Sequence, residues 1–349
     1  MNFESGEFLF RDCDPTVVIA EIGVNHNGST QIALRMVDEA IAAGADVIKF
    51  QAFVSEKEIS RYAAKTPYQM ETTSSQGNQL EMCKALEMTP KTLREMKVYC
   101  ESRRVPFLCA AFDFDSVDLL VDDLKVNTIK IPSGEITNVP FLQYIGSRNK
   151  GVILSTGAST LTEVGVAVEA LKKAGCPELM LFHCVSSYPA PFAQVNLRAM
   201  ATLKAAFGLP VGFSDHTVGS AAGIAAAALG ACALEKHFTL DRTMEGPDHR
   251  ASIEPGELAE LVKGVRIANA VLGNGIKQPM ACELDNLPLI RKSLVAARAL
   301  AKGTRLTADM LEIKRPEGGI VPADLSKILG LALTADLDED QPLCWGHLA

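Results

Sequence analysis

The sequence of residues 210–238, PVGFSDHTVGSAAGIAAAALGACALEKHF, predicts a complete strand–helix–strand unit. Two short apolar runs, at 210–214 and 234–238, flank an alanine-rich segment at 221–229 that suits a helix. The first run stays apolar up to Ser214, and the second follows the apolar stretch 231–234 and carries its polar residues, Glu235, Lys236 and His237, toward its end. Such strands, alternating with helices, are typical of a parallel sheet that helices cover on the outside.

The same alternation extends from about residue 17 to residue 272. It predicts six further strands, at 17–21, 47–51, 107–111, 128–132, 152–156 and 179–184, with helices that include 30–43, 90–102, 116–124, 160–174 and 255–271. Eight such units predict an α/β protein with a closed (β/α)8 TIM barrel, and an open doubly wound sheet is the alternative. A long polar interruption at 52–89 is expected to be a substrate lid or wall, or else a disordered insertion.

The alternation stops after Gly273-Asn274-Gly275. The sequence therefore predicts a catalytic barrel over residues 1–276, a linker over 277–289 and a small α+β module over 290–349. A module of about 60 residues is short for an independent core. We expect it to pack on its own barrel or on a partner subunit.

Composition narrows the function classes. The 349 residues are 48% hydrophobic, which is ample for a large core, and the net charge of -8 argues against nucleic acid as the main partner. No run of about 20 apolar residues suggests a membrane span. The first seven residues lack a basic start and an apolar run, and the nine cysteines form no CxxC pair. We therefore expect a cytoplasmic protein with reduced thiols.

Polar side chains cluster at the carboxyl ends of the predicted strands, which is where TIM barrels place their active sites. Five of them, two lysines and three serines, could converge on an anion, because phosphate oxygens bind cations and hydroxyl donors. They are Lys49, Lys130, Ser133, Ser155 and Ser214. The alternative is that each lysine is only solvated or salt-bridged.

Two histidines end neighbouring strands. Neutral imidazoles at His216 and His237 could bind one divalent metal such as Mn²⁺, Zn²⁺ or Co²⁺, with further ligands from carboxylates or substrate, or could simply be hydrogen-bonded. Glu21 and Glu235 could serve as acid–base groups or stabilise positive charge, or could merely neutralise the lysines. His26 is as compatible with a structural turn as with catalysis.

Seven motifs resemble the N-acetylneuraminate (sialic acid) synthase family. They are AEIGVNHNG at 20–28, KIPSGE at 130–135, LSTG at 154–157, FSDHT at 213–217, EKHFT at 235–239, GPDH at 246–249 and KRP at 314–316. They run in the same order across nearly the whole chain. The resemblance implies a TIM barrel followed by a C-terminal antifreeze-like (SAF) domain. It also implies a homodimer in which that domain is swapped over the partner's active site.

The resemblance also implies roles for individual residues. His216 and His237 would hold the metal, usually Mn²⁺, with Mg²⁺ or Co²⁺ as alternatives. Phosphoenolpyruvate (PEP) would contact the five anion-binding residues named above, and Glu21 would face the reacting carbons, with Glu235 as a further catalytic residue. The amino sugar would contact Gln51, Tyr188 and Asp248, and Arg315 would enter the partner's active site and approach the N-acetyl group of the sugar there.

The implied reaction is condensation of PEP with N-acetylmannosamine and water to give N-acetylneuraminate and phosphate. A synthase of legionaminic or pseudaminic acid, using a related 2,4-diacetamido hexose, is the nearest alternative. A barrel metal hydrolase would need an HxH pair on the first strand, which is absent. A non-catalytic carbohydrate-binding protein is the alternative from another class. Two departures from the family pattern, Ala110 for threonine and Ser186 for asparagine, leave the strength of PEP binding and the identity of the sugar open.

Overall fold

The computed structural model describes residues 15–73 and 77–349. Two compact units make up the chain, Met1–Gly273 and Asn274–Ala349. Two features that the sequence analysis used lie outside the described residues. They are the first seven residues and the centre of the polar interruption, at 74–76.

The first unit contains a closed parallel barrel of eight strands, joined in sequence order from β1 to β8. Closure comes from pairing of β8 with β1, which runs from Val17 opposite Ala233 to Glu21 opposite His237. The predicted TIM barrel is confirmed, and the open doubly wound sheet is wrong. The strands are β1 Val17–Gly23, β2 Val47–Ala52, β3 Phe107–Ala111, β4 Thr128–Ile131, β5 Gly151–Ser155, β6 Leu179–Cys184, β7 Val211–Asp215 and β8 Ala233–His237.

Helices follow the strands around the outside. The larger ones are α1 Thr30–Ala42, α5 Pro90–Ser102, α6 Phe114–Asp118 with a π-helical turn at Leu119–Asp123, α7 Val139–Gly146, α8 Leu161–Ala174, α9 Ala199–Phe207, α10 Ala221–Ala228 and α11 Pro255–Leu272. Each of these helices follows a strand and covers the outer face of the barrel. The sequence analysis did not identify α7 and α9, which are short.

The polar interruption contains three short helices joined by irregular segments. It holds α2 Ser55–Glu58, α3 Pro67–Thr72 and α4 Gln79–Lys84. A reciprocal side-chain cap of Asn78 with Glu81 starts α4, and before α3 the Gln69 side chain accepts a hydrogen bond from the Thr66 N–H at 2.9 Å. The polar residues that suggested a loop are therefore in part the caps of short helices.

The barrel interior is apolar at its amino-terminal end. Ile19, Val47, Leu108, Ile153 and Phe182 are buried together there. Side chains alternate between the two faces of a strand, so inward-pointing positions further along the same strands reach the opposite, carboxyl-terminal mouth. The apolar layer forms a dry floor beneath the polar residues at that mouth.

The second unit has a small core of its own. Its elements are α12 Leu287–Ile290, the antiparallel strands β9 Ser293–Ala296 and β10 Leu311–Lys314, and α13 Leu325–Ile328. Its buried residues include Leu294, Leu306 and Leu343. Across both units, the described part of the chain has no helix that is long and apolar enough to cross a membrane. Seven cysteines are free thiols, whereas Cys232 is disulfide-bonded, so the prediction of reduced thiols throughout is wrong at that residue.

Candidate active site

One pocket at the carboxyl-terminal mouth of the barrel brings the predicted site residues together. Every one of them that belongs to the first unit lines it: Glu21, Lys49, Gln51, Lys130, Ser133, Ser155, Tyr188, Ser214, His216, Glu235, His237 and Asp248. They come from β1, β2, β4–β8 and the loops after them. Ala110 and Ser186, the two departures from the family pattern, line the same pocket.

Two lysines and two glutamates form a buried charge cluster on its floor. Lys49 Nζ lies 2.8 Å from Glu21 Oε2 and 3.4 Å from Glu235 Oε2. Lys130 Nζ lies 3.4 Å from Glu235 and donates a hydrogen bond to Ser155 Oγ at 2.7 Å. The carboxylates thus neutralise the lysines, as the alternative from the sequence allowed. The ammonium groups also remain on the pocket surface, where an anion could reach them.

Burial and charge pull the pKa values of this cluster in opposite directions. Burial would raise the pKa of Glu235, but Lys130 and Lys49 outweigh it and hold the pKa below its usual value. Burial raises the pKa of Glu21 in spite of its contact with Lys49. The pKa of Lys130 is lowered by burial, whereas the two carboxylates keep the pKa of Lys49 raised. Burial and ion pairing therefore oppose each other in this cluster. One further negative charge nearby would favour the ammonium forms of Lys49 and Lys130.

The serines lie beside this cluster. Ser214 Oγ is 2.9 Å from Glu235 Oε1, and Ser133 Oγ accepts a hydrogen bond from the Gly157 N–H at 2.9 Å. A Cβ on Gly157 would lie only 2.3 Å from Ser186 Oγ, so only glycine allows the loop after β5 to approach so closely. The hydroxyls consequently face the same space as the two ammonium groups.

The two histidines end adjacent strands and face each other. The ring centroids of His216 and His237 are 5.5 Å apart. His216 Nδ1 lies 2.8 Å from the Val185 carbonyl oxygen, a contact that requires the proton on Nδ1 and leaves the lone pair on Nε2. His237 Nδ1 is buried without a hydrogen-bond partner, and its closest carboxylate is Asp248 Oδ2 at 3.7 Å.

Both imidazoles are held in the neutral form that binds metals. Burial lowers the pKa of His216 to about 4, and it lowers the pKa of His237 well below the ordinary value. Within residues 15–73 and 77–349, no group of three or more His, Cys, Asp or Glu side chains is arranged to hold a metal ion. A metal at this position would therefore have two imidazole ligands from the described residues, 5.5 Å apart by ring centroid, and would take its other ligands from water or substrate.

Aromatic rings connect the histidines to the polar interruption. Tyr188 packs against His216, with ring centroids 4.2 Å apart, and meets His237 edge-on at 5.7 Å. Tyr68, on α3, packs against Tyr188 at 5.4 Å and lines the pocket. The sequence analysis named the interruption as a possible wall but missed Tyr68. The only sequence feature that could have indicated a role for Tyr68 in the site is its aromatic ring within a polar segment.

Part of the pocket lining is an apolar wall, formed by Val24, Phe53, Cys83, Leu86 and Phe112. These residues come from the loops after β1, β2 and β3 and from the end of the interruption. Burial raises the pKa of the Cys83 thiol to about 12, so this side chain is uncharged near neutrality. The pocket lining thus contains an apolar cluster as well as the charged residues.

Two other predicted residues lie elsewhere. His26 Nδ1 accepts a hydrogen bond from the Gly28 N–H at 3.0 Å, and His26 does not line the pocket, which favours the structural turn. Arg315 belongs to the second unit, where its Nε donates to the Ile290 carbonyl oxygen at 3.1 Å. Its approach to a partner's site stays a prediction, as do the roles of the residues lining the pocket.

Comparison with known proteins confirms the resemblance. The sequence profile of the NeuB family matches residues 36–277, and that of the SAF domain matches residues 291–349. An N,N'-diacetyllegionaminic acid synthase of Campylobacter jejuni is 45% identical over 93% of this chain and 98% of its own length. The human N-acetylneuraminate-9-phosphate synthase is 36% identical over 94% of this chain and 91% of its own.

A solved structure is similar as well. The N-acetylneuraminic acid (sialic acid) synthetase of Leptospira borgpetersenii aligns with a TM-score of 0.70 at 36% identity. The alignment covers 78% of this chain and 90% of that one.

Proposed function

The chain belongs to the NeuB family of PEP-condensing nonulosonic acid synthases, and from that membership we propose that it makes a legionaminic acid from PEP and a 2,4-diacetamido hexose. The observation that carries the proposal is the single pocket in which a two-lysine cluster and a facing pair of neutral imidazoles meet. The first arrangement suits PEP, and the second suits a carbonyl oxygen.

The lysine side binds PEP. Lys49 and Lys130 offer two ammonium groups, and Ser133, Ser155 and Ser214 offer hydroxyl donors around the same space. Fixing the phosphate and carboxylate leaves C3 of PEP pointing at the second substrate and reduces the entropic cost of aligning two reactants. Burial lowers the pKa of Lys130, and a bound anion beside it would favour its ammonium form.

The carbon–carbon bond forms between C3 of PEP and the aldehyde carbon of the open-chain sugar. Glu21, buried 2.8 Å from Lys49, is placed to offset the positive charge that develops at C2 of PEP. Water then adds at C2, and the tetrahedral intermediate collapses with cleavage of the C2–O bond and release of phosphate. Glu235 keeps both lysines aligned through these changes of charge.

The histidine side receives the sugar aldehyde. A divalent metal held by His216 and His237, which we propose to be Mn²⁺, would supply Lewis-acid polarisation of the aldehyde oxygen. Tyr188 packs on both imidazoles and restricts their rotation. Asp248 and Gln51 are placed to hydrogen-bond sugar hydroxyl or amide groups, and Gln51 donates to Glu21 at 2.7 Å.

The proposed sugar substrate, a 2,4-diacetamido hexose, differs from N-acetylmannosamine, which the resemblance first implied. The relative named for diacetyllegionaminic acid is 45% identical, against 36% for the human N-acetylneuraminate-9-phosphate synthase. The apolar wall supports the same choice, because a 2,4-diacetamido-6-deoxy hexose has a second acetyl methyl and a C6 methyl in place of hydroxyls. Extra methyl groups in an apolar pocket are worth about 10- to 200-fold in kcat/KM.

We also propose that the chain acts as a homodimer, in which the SAF domain reaches the partner's pocket and Arg315 contacts the sugar there. Support comes from the match of the SAF domain profile to residues 291–349 and from the position of Arg315 in that unit. An arginine suits an acetamido oxygen, because its guanidinium offers several hydrogen-bond donors in one plane.

The test measures phosphate release from PEP in metal-stripped protein, with and without Mn²⁺, for 2,4-diacetamido-2,4,6-trideoxymannose and N-acetylmannosamine. We expect release to require both Mn²⁺ and a sugar, with kcat/KM roughly tenfold or more higher for the diacetamido sugar. Phe112→Ser should narrow this preference, whereas Phe192→Ser, at a 62% exposed ring outside the pocket, should not.

Each outcome bears on a different part of the proposal. Phosphate release without a sugar would contradict a synthase, and full activity without metal would contradict the role of the imidazoles. A preference for N-acetylmannosamine would contradict only the assignment of the sugar.

A further inference from the structure

A second charged pair lies directly behind the two histidines, outside the pocket. Lys236 and Asp215 are both fully excluded from solvent, and Lys236 Nζ lies 2.9 Å from Asp215 Oδ2. Each residue immediately precedes one of the histidines, His216 and His237. Their backbones are direct neighbours in the pairing of β7 with β8.

The alternation of side chains explains why the pair is not in the pocket. Ser214 and His216 point into the barrel mouth from the end of β7, as Glu235 and His237 do from β8. Asp215 and Lys236, at the intervening positions, therefore point to the outer face. Whatever the pair does, it acts through the backbone that it shares with the histidines.

The contacts of the pair involve the residues immediately before and after His216. Lys236 Nζ donates to the Thr217 carbonyl oxygen as well as to Asp215, and Asp215 Oδ1 accepts the Thr217 N–H at 2.9 Å. A hydrogen bond between Asp215 and Thr217 thus spans the segment 215–217, and the Lys236 ammonium group links both of these residues to β8. His216 is the middle residue of that segment.

We propose that Lys236 and Asp215 are positioning residues that set the separation of the two imidazoles, and thereby the affinity of the site for a divalent metal. This inference rests on the proposed metal site. A fully buried ion pair contributes little net stability relative to apolar residues of similar volume. A contribution to stability therefore does not explain why Lys236 and Asp215 occupy these positions. Residues that orient metal ligands, in contrast, are commonly worth about 10- to 100-fold in metal affinity.

The chain provides a control at the other end of the barrel, an ion pair of Arg266 with Asp46 whose side chains are 36% and 23% exposed. Arg266 contacts both carboxylate oxygens of Asp46 at 2.6 Å, and Asp46 Oδ2 accepts the Val18 N–H at 2.7 Å. This pair also joins a buried strand to a neighbouring element. It lies at the amino-terminal end of β1 and β2, away from both histidines.

The test compares Asp215→Asn combined with Lys236→Met against Asp46→Asn combined with Arg266→Met. Both double variants remove the ion pair and keep an acceptor for the backbone N–H, namely that of Thr217 or Val18. Mn²⁺ affinity is measured by electron paramagnetic resonance of the free ion, PEP affinity by calorimetry without metal, and stability by thermal unfolding. We expect the first variant to bind Mn²⁺ about tenfold more weakly, with PEP affinity within about twofold of the unmodified protein. The control should lose stability but keep its Mn²⁺ affinity.

Equal Mn²⁺ affinity in the first variant and the unmodified protein would overturn this inference alone. Equal losses in both double variants would also overturn it, because the pair would then be merely structural. If the unmodified protein bound no Mn²⁺, the proposed metal site would fail and this inference with it. Should the first variant not fold, Asp215→Asn combined with Lys236→Gln, which leaves no unpaired charge in the interior, should still weaken Mn²⁺ binding measurably.

Discussion

Removal of the charge of Glu235 gives the sharpest test of the lysine cluster. The carboxylate is about 4% exposed, lies 3.4 Å from both Lys49 and Lys130, and accepts a hydrogen bond from Ser214. Glu235→Gln keeps the shape and a hydrogen-bond acceptor for Ser214 but leaves two buried ammonium groups opposite one carboxylate, Glu21. Breaking a buried ion pair by removing one partner typically costs about 3–5 kcal/mol.

The lower end of that range applies here, because each lysine keeps one contact. Lys49 keeps Glu21 at 2.8 Å, and Lys130 keeps Ser155 at 2.7 Å. A loss of about 3 kcal/mol corresponds to a fall of roughly 6 °C in Tm for a chain of this size. An anion in the pocket would replace the missing charge, so inorganic phosphate should recover much of that fall in the variant and raise the Tm of the unmodified protein less.

Calorimetric scans of metal-free protein, with and without millimolar phosphate at constant ionic strength, measure both quantities. The control is Glu169→Gln, because Glu169 is exposed and pairs with Lys173 on the surface of α8. Its Tm should stay close to that of the unmodified protein and show no phosphate dependence. If Glu235→Gln were as stable as the unmodified protein, or gained no more from phosphate than it does, the lysines would not face a common anion site.

Three further predictions concern the histidines, the aromatic contact and the second unit. Because burial lowers the pKa of His216 to about 4, its imidazole stays neutral above that pH, and Mn²⁺ affinity should fall tenfold or more only as the pH approaches 4. A smaller loss is expected near pH 7, because burial raises the pKa of Asp248, 3.7 Å from His237, to about 7. A roughly tenfold weakening by pH 5.5, measured by titration of the free ion, would indicate an ordinary imidazole and contradict the burial argument. Tyr68→Ala removes the ring that packs on Tyr188 and should lower kcat/KM for the sugar about tenfold, whereas Tyr62→Ala, at an 82% exposed ring, should be neutral; equal kinetics of the two variants would remove Tyr68 from the site. Arg315→Ala should raise KM for the sugar more than tenfold while KM for PEP stays within about twofold, and unchanged sugar kinetics would exclude the second unit from catalysis.

The long polar interruption shows a limit of prediction from sequence. Its composition suggested a loop, yet α3 and α4 begin at capping-box patterns that are visible in the sequence as Thr66 with Gln69 and Asn78 with Glu81. Such short helices gain little from intrinsic propensity and are stabilised by their surroundings. Which face of α3 carries Tyr68 into the pocket could not be predicted, because that depends on contact with Tyr188, which lies 120 positions later in the chain.

The sequence by itself determined the barrel and the end of it that carries chemistry. Apolar strands alternate with helices eight times, and a period of two along each strand sends residues such as Ser214 and His216 to the same side. These are local properties, set by neighbours within a few positions. They suffice to predict which side chains reach the mouth of the barrel.

Only the tertiary structure decided which of those side chains touch. Pairing of β8 with β1 places Glu21 beside His237, although they are 216 positions apart, and it lets Lys49 contact both glutamates. The buried bond between Lys236 and Asp215 likewise exists only because two strands are in register. Partners across a closed sheet are fixed by register and closure, which depend on the packing of the whole barrel, and a single strand's residues carry no record of them.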